Sequence, residues 1–196
     1  MALMEKRWLK QSSIIGIDFD NTIVNYDKAF YKAAREWQII PESLPQAKLA
    51  VRNYLHRRNE GEVWTKLQGY VYGTLMDEAE LFLGCGDFLT RYREKIFVIS
   101  HKTVHPIIGP RWNLHAAARA WIETHLSLKN SQIFFETTIE EKIKRIQLSQ
   151  CDVFIDDLPE ILLHPQFPKS AIPLLFDPEK GNALHLQSFS SWKELC

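Results

Sequence analysis

The sequence has few cysteines and no excess of charge of either sign. Its three cysteines, Cys85, Cys151 and Cys196, lie far apart and form no C-x-x-C pair, so neither a zinc ribbon nor a dithiol redox site is expected. Scattered cysteines of this kind are typical of reduced thiols, and we expect a cytoplasmic protein. Lysine plus arginine and aspartate plus glutamate each number 24, so the formal net charge is zero. No long-range attraction to a nucleic acid polymer is therefore expected.

Long apolar runs are also absent. No segment approaches the roughly 20 apolar residues of a membrane span, and residues 1–13 lack the apolar centre of a signal peptide. We therefore expect no membrane as a partner. The 196 residues, 45% apolar and 24% charged, have the composition of a soluble globular protein with one domain, or with a core domain and a modest insertion. No oligomeric state is indicated.

Five short apolar segments stand out against this composition. They are rich in isoleucine, valine and phenylalanine without polar alternation, which is typical of strands covered on both faces. The segments are residues 14–20, 96–100, 133–136, 153–157 and 172–176. Helical patterns lie between them, at residues 112–126 and after the capping box of Thr138 and Glu141. This alternation predicts an α/β fold with a doubly wound parallel sheet of about five strands, and a closing helix is expected at the C-terminus.

A helical insertion is expected between the first strand and the second. Three segments with helical patterns follow one another, "DKAFYKAAREW", "PQAKLAVRNYLHRR" and "EVWTKLQGYVYGTLM". Pro41 and Pro45 separate the first two segments, and residues 59–61 separate the second from the third. We expect no strand from residue 27 to residue 83, and the insertion is too long for an ordinary crossover connection.

Two of the predicted strands end in acidic residues. Asp18 and Asp20 lie at the end of the first strand, and Asp156 and Asp157 lie at the end of the fourth. Because ligands of parallel sheets gather at the carboxyl ends of the strands, we expect these four carboxylates to converge. A turn or a helix cap explains one acidic pair, but two converging pairs repel each other unless a cation lies between them. Mg²⁺ prefers such oxygen ligands together with a substrate phosphate, so a magnesium site is predicted.

Four segments resemble, in order, the motifs of the haloacid dehalogenase-like superfamily of phosphohydrolases. "DFDNT" is similar to its D-x-D-x-T motif, and "FVISHKT" to an apolar strand that ends in serine or threonine. "EEKIKRI" resembles a lysine early in a helix, and "VFIDDLPE" a strand that ends in acidic residues. The resemblance spans roughly residues 14–163. It implies a Rossmann-like core at residues 1–26 and 83–196, with an all-helical cap at residues 27–82.

The resemblance implies a covalent mechanism in which Asp18 attacks phosphorus and forms an aspartyl-phosphate. Asp20 would protonate the leaving oxygen, would then activate the attacking water, and would contact Mg²⁺ through its backbone carbonyl. Asn21 would offer its backbone N–H to the phosphate, and Thr22 would orient the loop around the phosphate.

The resemblance also assigns the remaining motifs. Ser100 would donate a hydrogen bond to a phosphoryl oxygen, and Lys142 would neutralise charge on the nucleophile and on the transferred group. Lys144 lies on the same predicted helix and is the alternative to Lys142. The residues expected around Mg²⁺ are Asp18, Asp20, Asp156 and Asp157. Which of the last two binds the ion directly stays open.

The sequence therefore predicts a Mg²⁺-dependent phosphohydrolase. A small phosphorylated metabolite is the expected substrate, because a cap over the site would obstruct a large partner. Members of the superfamily that remove halides do not carry an acid at the position of Asp20, so its presence favours phosphate chemistry. A phosphomutase or other phosphotransferase with the same nucleophile is one alternative, and a non-catalytic binding protein with this fold is another.

Three polar residues are candidates for substrate specificity. Gln68 is next to Gly69, and a glycine lets a ligand or a backbone approach closely. Lys102 and Arg111 lie in the long connection after the second motif, where Arg111 could bind a second anionic group through two hydrogen bonds. The alternative for this connection is a rigid surface loop shaped by its prolines and its glycine.

Overall fold

The computed structural model describes residues 9–10, 12–181 and 186–196. The chain divides into two compact units. The α/β unit takes its described residues from Met1–Ile23, Phe82–His101 and Ser127–Cys196, and the helical unit consists of Val24–Leu81 and Lys102–Leu126.

The described residues form eight strands and seven α-helices. In chain order the strands are β1 Ile15–Ile17, β2 Val24–Asn25, β3 Glu80–Leu81, β4 Ile96–His101, β5 Ile133–Glu136, β6 Val153–Asp156, β7 Ile172–Phe176 and β8 Ser188–Phe189. The helices are α1 Asp27–Glu36, α2 Lys48–Arg57, α3 Gly61–Thr74, α4 Cys85–Tyr92, α5 Leu114–His125, α6 Ile139–Leu148 and α7 Pro159–Leu162. None of these helices is both long and apolar enough to cross a lipid bilayer.

The α/β unit is built on a parallel sheet with the strand order β5-β4-β1-β6-β7-β8. β1 lies inside the sheet and the chain adds strands on both sides of it, which is the doubly wound arrangement. All five predicted strands are present, so the predicted fold class is confirmed. β8 is a further strand of only two residues, and the expected C-terminal helix is a single 3₁₀ turn, Trp192–Glu194.

Burial on both faces explains why the strands are apolar throughout. The side chains of Ile15 and Ile17 on β1 are fully buried. Gly16 between them lies so close to β6 that a Cβ atom there would be 2.5 Å from the ring of Phe154. On one face of the sheet, α6 packs against β4 and β5, and Ile143 and Ile146 join Phe154 in the core. A strand in such surroundings has no face left for polar residues.

The start of α6 is fixed by the predicted capping box. The Glu141 backbone N–H donates to the Thr138 hydroxyl at 3.1 Å, and the Thr138 backbone N–H donates to the Glu141 carboxylate at 3.2 Å. This cap defines the first turn of the helix. Lys142 follows directly and is 1% exposed.

In the helical unit α1, α2 and α3 pack against one another, and α5 packs against α3. β2 and β3 pair in antiparallel direction at the two ends of the segment Val24–Leu81. The expectation that residues 27–83 contain no strand is therefore wrong. A strand of two residues is too short to show a periodic pattern in the sequence.

Residues 102–126 belong to the helical unit, whereas the sequence placed them in the core. The indole N–H of Trp121 on α5 donates a buried hydrogen bond to the Ala79 carbonyl at 3.0 Å. A Cβ atom on Gly73 of α3 would lie 2.7 Å from the Cβ atom of Trp112. The second segment thus packs closely on the first, and the predicted domain boundaries omit it. The function of the helical unit as a cap stays a prediction.

Candidate active site

Asp18 is the first residue after β1, at the carboxyl edge of the sheet. In the parallel register Ile17 lies opposite Ile155 of β6, and the Asp18 backbone N–H donates to the Ile155 carbonyl at 2.8 Å. β1 also pairs with β4, which carries Ser100 near its end. Asp18, Ser100 and Asp156 therefore emerge at one edge of three neighbouring strands.

Two buried side chains hold the Asp18 carboxylate. The Ser100 hydroxyl donates to Asp18 Oδ1 at 2.8 Å, and the Lys142 ammonium donates to the same oxygen at 2.6 Å. Lys142 also donates to Asp156 Oδ2 at 2.6 Å, so one cation joins the ends of two strands. Lys144 is exposed, and the structure brings Lys142 to the carboxylates.

Asp157 completes a group of three carboxylates. One oxygen each from Asp18, Asp156 and Asp157 lie within 4.8 Å of one another. The Thr22 hydroxyl donates to Asp157 Oδ1 at 3.3 Å, and the Leu158 backbone N–H donates to Asp156 Oδ1 at 2.9 Å. These hydrogen bonds orient the carboxylate of Asp156, the last residue of β6, and that of Asp157, the residue after it.

Two carboxylates share the ammonium group of Lys142. Asp18 and Asp156 share the charge of Lys142, and Asp157 lies beside them. Burial raises the pKa of Asp156 to about 7, and the Asp18 carboxylate adds to this rise while Lys142 opposes it. Burial opposes protonation of Lys142, but the two carboxylates outweigh it and raise the Lys142 pKa above its ordinary value. The Asp18 and Asp156 carboxylates therefore share one ammonium group, and Asp156 binds a proton more tightly than an exposed aspartate does.

Comparisons with known proteins identified solved structures of the same fold, whereas no family model and no curated protein matched. A haloacid dehalogenase superfamily hydrolase from Ehrlichia chaffeensis matches with a TM-score of 0.52 and 14% identity, over 95% of each chain. A haloacid dehalogenase-like family hydrolase from Streptococcus pneumoniae matches with a TM-score of 0.54 and 14% identity, over 86% of each chain. A haloacid dehalogenase superfamily hydrolase of subfamily IA, variant 1, from Geobacter sulfurreducens matches with a TM-score of 0.54 and 10% identity. The match covers 94% of the present chain and 95% of the Geobacter chain.

The chain has the fold of the haloacid dehalogenase-like hydrolases. The resemblance of the four sequence motifs is thus confirmed at the level of the fold. The haloacid dehalogenase-like fold brings the first, second, third and fourth motifs together through Asp18, Ser100, Lys142 and Asp156.

The three carboxylates of this haloacid dehalogenase-like fold fit a divalent cation. Mg²⁺ binds oxygen ligands at about 2.0–2.1 Å, so two ligands on opposite sides of the ion lie about 4 Å apart. One oxygen from each of Asp18, Asp156 and Asp157 lies within 4.8 Å of the others, so one divalent cation could contact all three.

The turn after Asp18 carries the other residues predicted to act on phosphate. Asp20 is half-buried, and the group of three carboxylates does not include its side chain. Asn21 has a φ of 60°, in the left-handed region that asparagine tolerates better than most residues. Thr22 is fully buried, and its carbonyl accepts a hydrogen bond from the indole N–H of Trp192 at 3.0 Å. The roles of Asp20 and Asn21 stay predictions.

The three specificity candidates all belong to the helical unit of this haloacid dehalogenase-like fold. Gln68 is half-buried on α3, Lys102 is 4% exposed, and Arg111 is exposed. A Cβ atom on Gly69 would lie 2.7 Å from the Cβ atom of Pro106, so the approach that Gly69 permits is made by the loop of the same unit. Their contacts with a substrate stay predictions.

Two backbone groups of the site were not predicted from the sequence. The Ile155 carbonyl accepts from the Asp18 backbone N–H, and the Leu158 backbone N–H donates to Asp156. Every residue except proline offers such groups, so no residue type marks them in a sequence. The parallel register of β1 and β6 is the signal that could have located the first of them.

Proposed function

We propose that the protein is a Mg²⁺-dependent phosphohydrolase that acts through an aspartyl-phosphate on Asp18. The observation that carries the proposal is the convergence of Ser100 and Lys142 on one oxygen of Asp18, next to Asp156. Burying these charges is costly. A nucleophilic carboxylate needs this arrangement, because it must stay ionised and must be held in one orientation.

Asp18 carries out the first displacement. Its Oδ1 is held by two donors, and its other oxygen attacks phosphorus while the ester bond to the leaving oxygen breaks. Asp20 protonates the leaving oxygen and then takes a proton from the water that hydrolyses the aspartyl-phosphate. Because phosphate leaves at the end, both carboxylates return to their starting state.

Lys142 and Ser100 stabilise the charge that develops on the transferred group. Both are buried, so their interactions with charge are stronger than in water. Asn21 and Thr22 shape the turn around the phosphate. Bound Mg²⁺ supplies further positive charge at the phosphate. The residues proposed to hold the ion are Asp18, Asp156, Asp157 and, through its backbone carbonyl, Asp20.

The proposed substrate is a small phosphorylated metabolite, with the helical unit acting as a cap. Asp20 supports phosphate chemistry over halide removal, because an ester oxygen needs a proton as it leaves and a halide does not. The free thiols of all three cysteines support the cytoplasm as the compartment.

A phosphatase assay tests the proposal. Purified protein is incubated with p-nitrophenyl phosphate and with a panel of phosphorylated metabolites, and released phosphate is measured. We expect turnover that is lost with EDTA and returns with Mg²⁺. Asp18→Asn should reduce kcat at least about 10³-fold, because the nucleophile is removed.

Asp77→Asn is the matched control, since Asp77 is exposed in the helical unit and should leave turnover unchanged. Unchanged turnover in Asp18→Asn would exclude the covalent mechanism, and turnover that persists in EDTA would exclude the metal. Transfer of phosphate to an added sugar phosphate would instead identify a phosphotransferase.

A further inference from the structure

The side chain of Trp192 lies in a group of four buried aromatic residues of the α/β unit, to which the proposed mechanism gives no role. The centroid of its ring lies 5.1–5.7 Å from those of the other three rings, Phe88 on α4, Phe176 on β7 and Phe189 on β8. All four residues are at most 3% exposed. We refer to them as the aromatic cluster. Because a protein core is packed as densely as an organic crystal, the cluster fixes the position of the indole.

The backbone that carries Trp192 is fixed as well. The Ser191 backbone N–H donates to the Glu194 carboxylate at 3.0 Å, and the Lys193 backbone N–H donates to the Ser191 hydroxyl at 3.4 Å. These hydrogen bonds form a capping box at the start of the 3₁₀ turn Trp192–Glu194. Trp192 is therefore held both through its backbone and through its ring.

The polar edge of the indole faces the turn that follows β1. The indole N–H of Trp192 donates to the Thr22 carbonyl at 3.0 Å, in a buried hydrogen bond between residues 170 positions apart in the chain. A buried indole N–H needs an acceptor, and a buried carbonyl needs a donor. Since the cluster fixes the indole, this hydrogen bond fixes the position of the Thr22 carbonyl.

This turn of the chain has an unusual backbone and a direct connection to the carboxylates. Asn21 has a φ of 60°, and a backbone in this region persists where the surrounding contacts hold it. The Ile23 backbone N–H donates to the Phe19 carbonyl at 3.1 Å and closes the turn. The Thr22 hydroxyl donates to Asp157 Oδ1 at 3.3 Å. Thr22 thus connects the indole on one side with a carboxylate of the candidate active site on the other.

We propose that Trp192 is a positioning residue of the candidate active site. Its indole N–H holds the Thr22 carbonyl in place, and with it the turn that carries Asp20 and the hydroxyl that orients Asp157. Trp192 lies outside the four motifs, which span roughly residues 14–163. The inference rests on the proposed function for the roles of Asp20 as the acid and of Asp157 as a ligand of Mg²⁺, whereas the effect of Trp192 on the turn does not depend on that function.

Trp192→Phe and Trp121→Phe form a matched pair that tests the proposal. Trp121 donates the same type of buried hydrogen bond, from its indole N–H to the Ala79 carbonyl at 3.0 Å, within the helical unit. Each substitution keeps an aromatic ring and removes the N–H that a buried carbonyl accepts, so both should lower Tm by a similar amount. A residue with a purely structural role would have no further effect.

We expect Trp192→Phe to lower kcat for p-nitrophenyl phosphate at least about 10-fold, with a smaller change in KM, because Asp20 is misplaced relative to the leaving oxygen. Calorimetry should show Mg²⁺ affinity reduced at least about five-fold, because Asp157 is less well oriented. Trp121→Phe should leave kcat and Mg²⁺ affinity unchanged. Equal effects of the two substitutions on both quantities overturn the proposal.

Amide hydrogen exchange of the metal-free protein measures the turn itself, without turnover or Mg²⁺. The Ile23 amide should exchange at least about 10-fold faster in Trp192→Phe than in Trp121→Phe, because the turn opens locally. The Asp18 amide, which donates within the sheet, is the internal reference and should exchange equally in both variants. If no ester is hydrolysed and no Mg²⁺ binds, the proposed function fails, and the Ile23 exchange rate still decides the inference. Equal Ile23 exchange in the two variants overturns it.

NMR of the indole N–H groups covers the case in which Trp192→Phe does not fold. The six tryptophans are labelled with ¹⁵N in a chain that retains Trp192, and their signals are assigned by sequential methods. We expect the Trp192 signal to shift on addition of Mg²⁺ and also in the metal-free Asp157→Asn variant, because Thr22 connects the two residues. The Trp121 signal should stay in place. A Trp192 signal that stays in place in both experiments overturns the proposal.

Discussion

Lys142 donates hydrogen bonds to Asp18 and to Asp156, which follow two different strands, and it is almost fully buried. The ammonium group therefore has a structural role in addition to the proposed catalytic one. Without it, two buried carboxylates would face each other with no cation between them. Removing one partner of a buried ion pair typically costs about 3–5 kcal/mol.

Lys142→Met and Lys144→Met form a matched pair that separates a buried lysine from an exposed one on the same helix. Lys142→Met should lower the free energy of unfolding of the metal-free protein by about 3 kcal/mol and should abolish phosphatase activity. Lys144→Met should change stability by less than about 0.5 kcal/mol, because its side chain is exposed. Urea unfolding and the phosphatase assay measure both effects. Equal effects of the two substitutions would contradict the observed geometry.

The raised pKa of Asp156 predicts how pH and Mg²⁺ act together. The carboxyl titrates near 3.8 in the unfolded chain and near 7 in the folded protein, so the folded state binds the proton more tightly between these values. The contribution of this group to stability is therefore fully present below about pH 4 and is lost as the pH rises to about 7. The proposed Mg²⁺ would have to displace this proton, so added Mg²⁺ should raise Tm more at about pH 8 than at about pH 5. An equal rise in Tm at both pH values would contradict this account.

The three cysteines should differ in reactivity. Cys85 and Cys151 are buried, and burial raises the pKa of both thiols, that of Cys151 to about 12. Cys196 is exposed. Because the thiolate is the reactive form, we expect one thiol to react rapidly with an aromatic disulfide reagent in the native protein, and all three after denaturation. Cys196→Ser should remove the rapid reaction, and rapid modification of more than one thiol would contradict the described burial.

Among the secondary-structure elements, the pairing of β1 with β6 has the clearest steric requirement. A Cβ atom on Gly16 would lie 2.5 Å from the Phe154 ring and 2.8 Å from the sulfur of Cys151. Neither neighbour can move without disturbing the core between the strands. The same two strands end in the carboxylates of the candidate active site, so their spacing affects the distance between Asp18 and Asp156.

Gly16→Ala should therefore destabilise the protein by about 1–3 kcal/mol, the usual cost of overpacking a core. It should also weaken Mg²⁺ binding, which calorimetry measures, because β1 and β6 are pushed apart. Gly61→Ala is the control, since the nearest atom to a Cβ there is 4.0 Å away. A neutral result for Gly16→Ala would mean that the two strands are not packed as closely as described.

Elements with a strong local signal were predicted from the sequence, and short elements were not. The strands of the sheet center show as apolar runs because they are buried on both faces, and α6 shows through Thr138 and Glu141 at its start. α4 begins instead after Gly84, which has a φ of 87° and no side chain to cap the helix. The pairing of β2 with β3 involves only two residues on each strand. Two residues are too few to show the alternation of apolar and polar residues that marks a strand in a sequence.

For the whole molecule, the convergence of Asp18, Asp156 and Asp157 was predictable because parallel strands share one carboxyl edge. The choice of Lys142 over Lys144 required the structure, because both lie early in the same helix. The membership of residues 102–126 in the helical unit also required it. Contacts between segments far apart in the chain, such as that of Trp121 with Ala79, depend on tertiary packing and leave no local pattern.

The most direct test of the account is identification of the residue that carries the phosphoryl group during turnover. A single turnover with p-nitrophenyl phosphate is quenched in acid, and the protein is reduced with borohydride, which converts an aspartyl-phosphate to homoserine. Peptide mass spectrometry then locates the converted residue. The account predicts homoserine at position 18 and unchanged aspartate at positions 20, 156 and 157. Turnover with no converted residue, or with conversion at any other position, would contradict it.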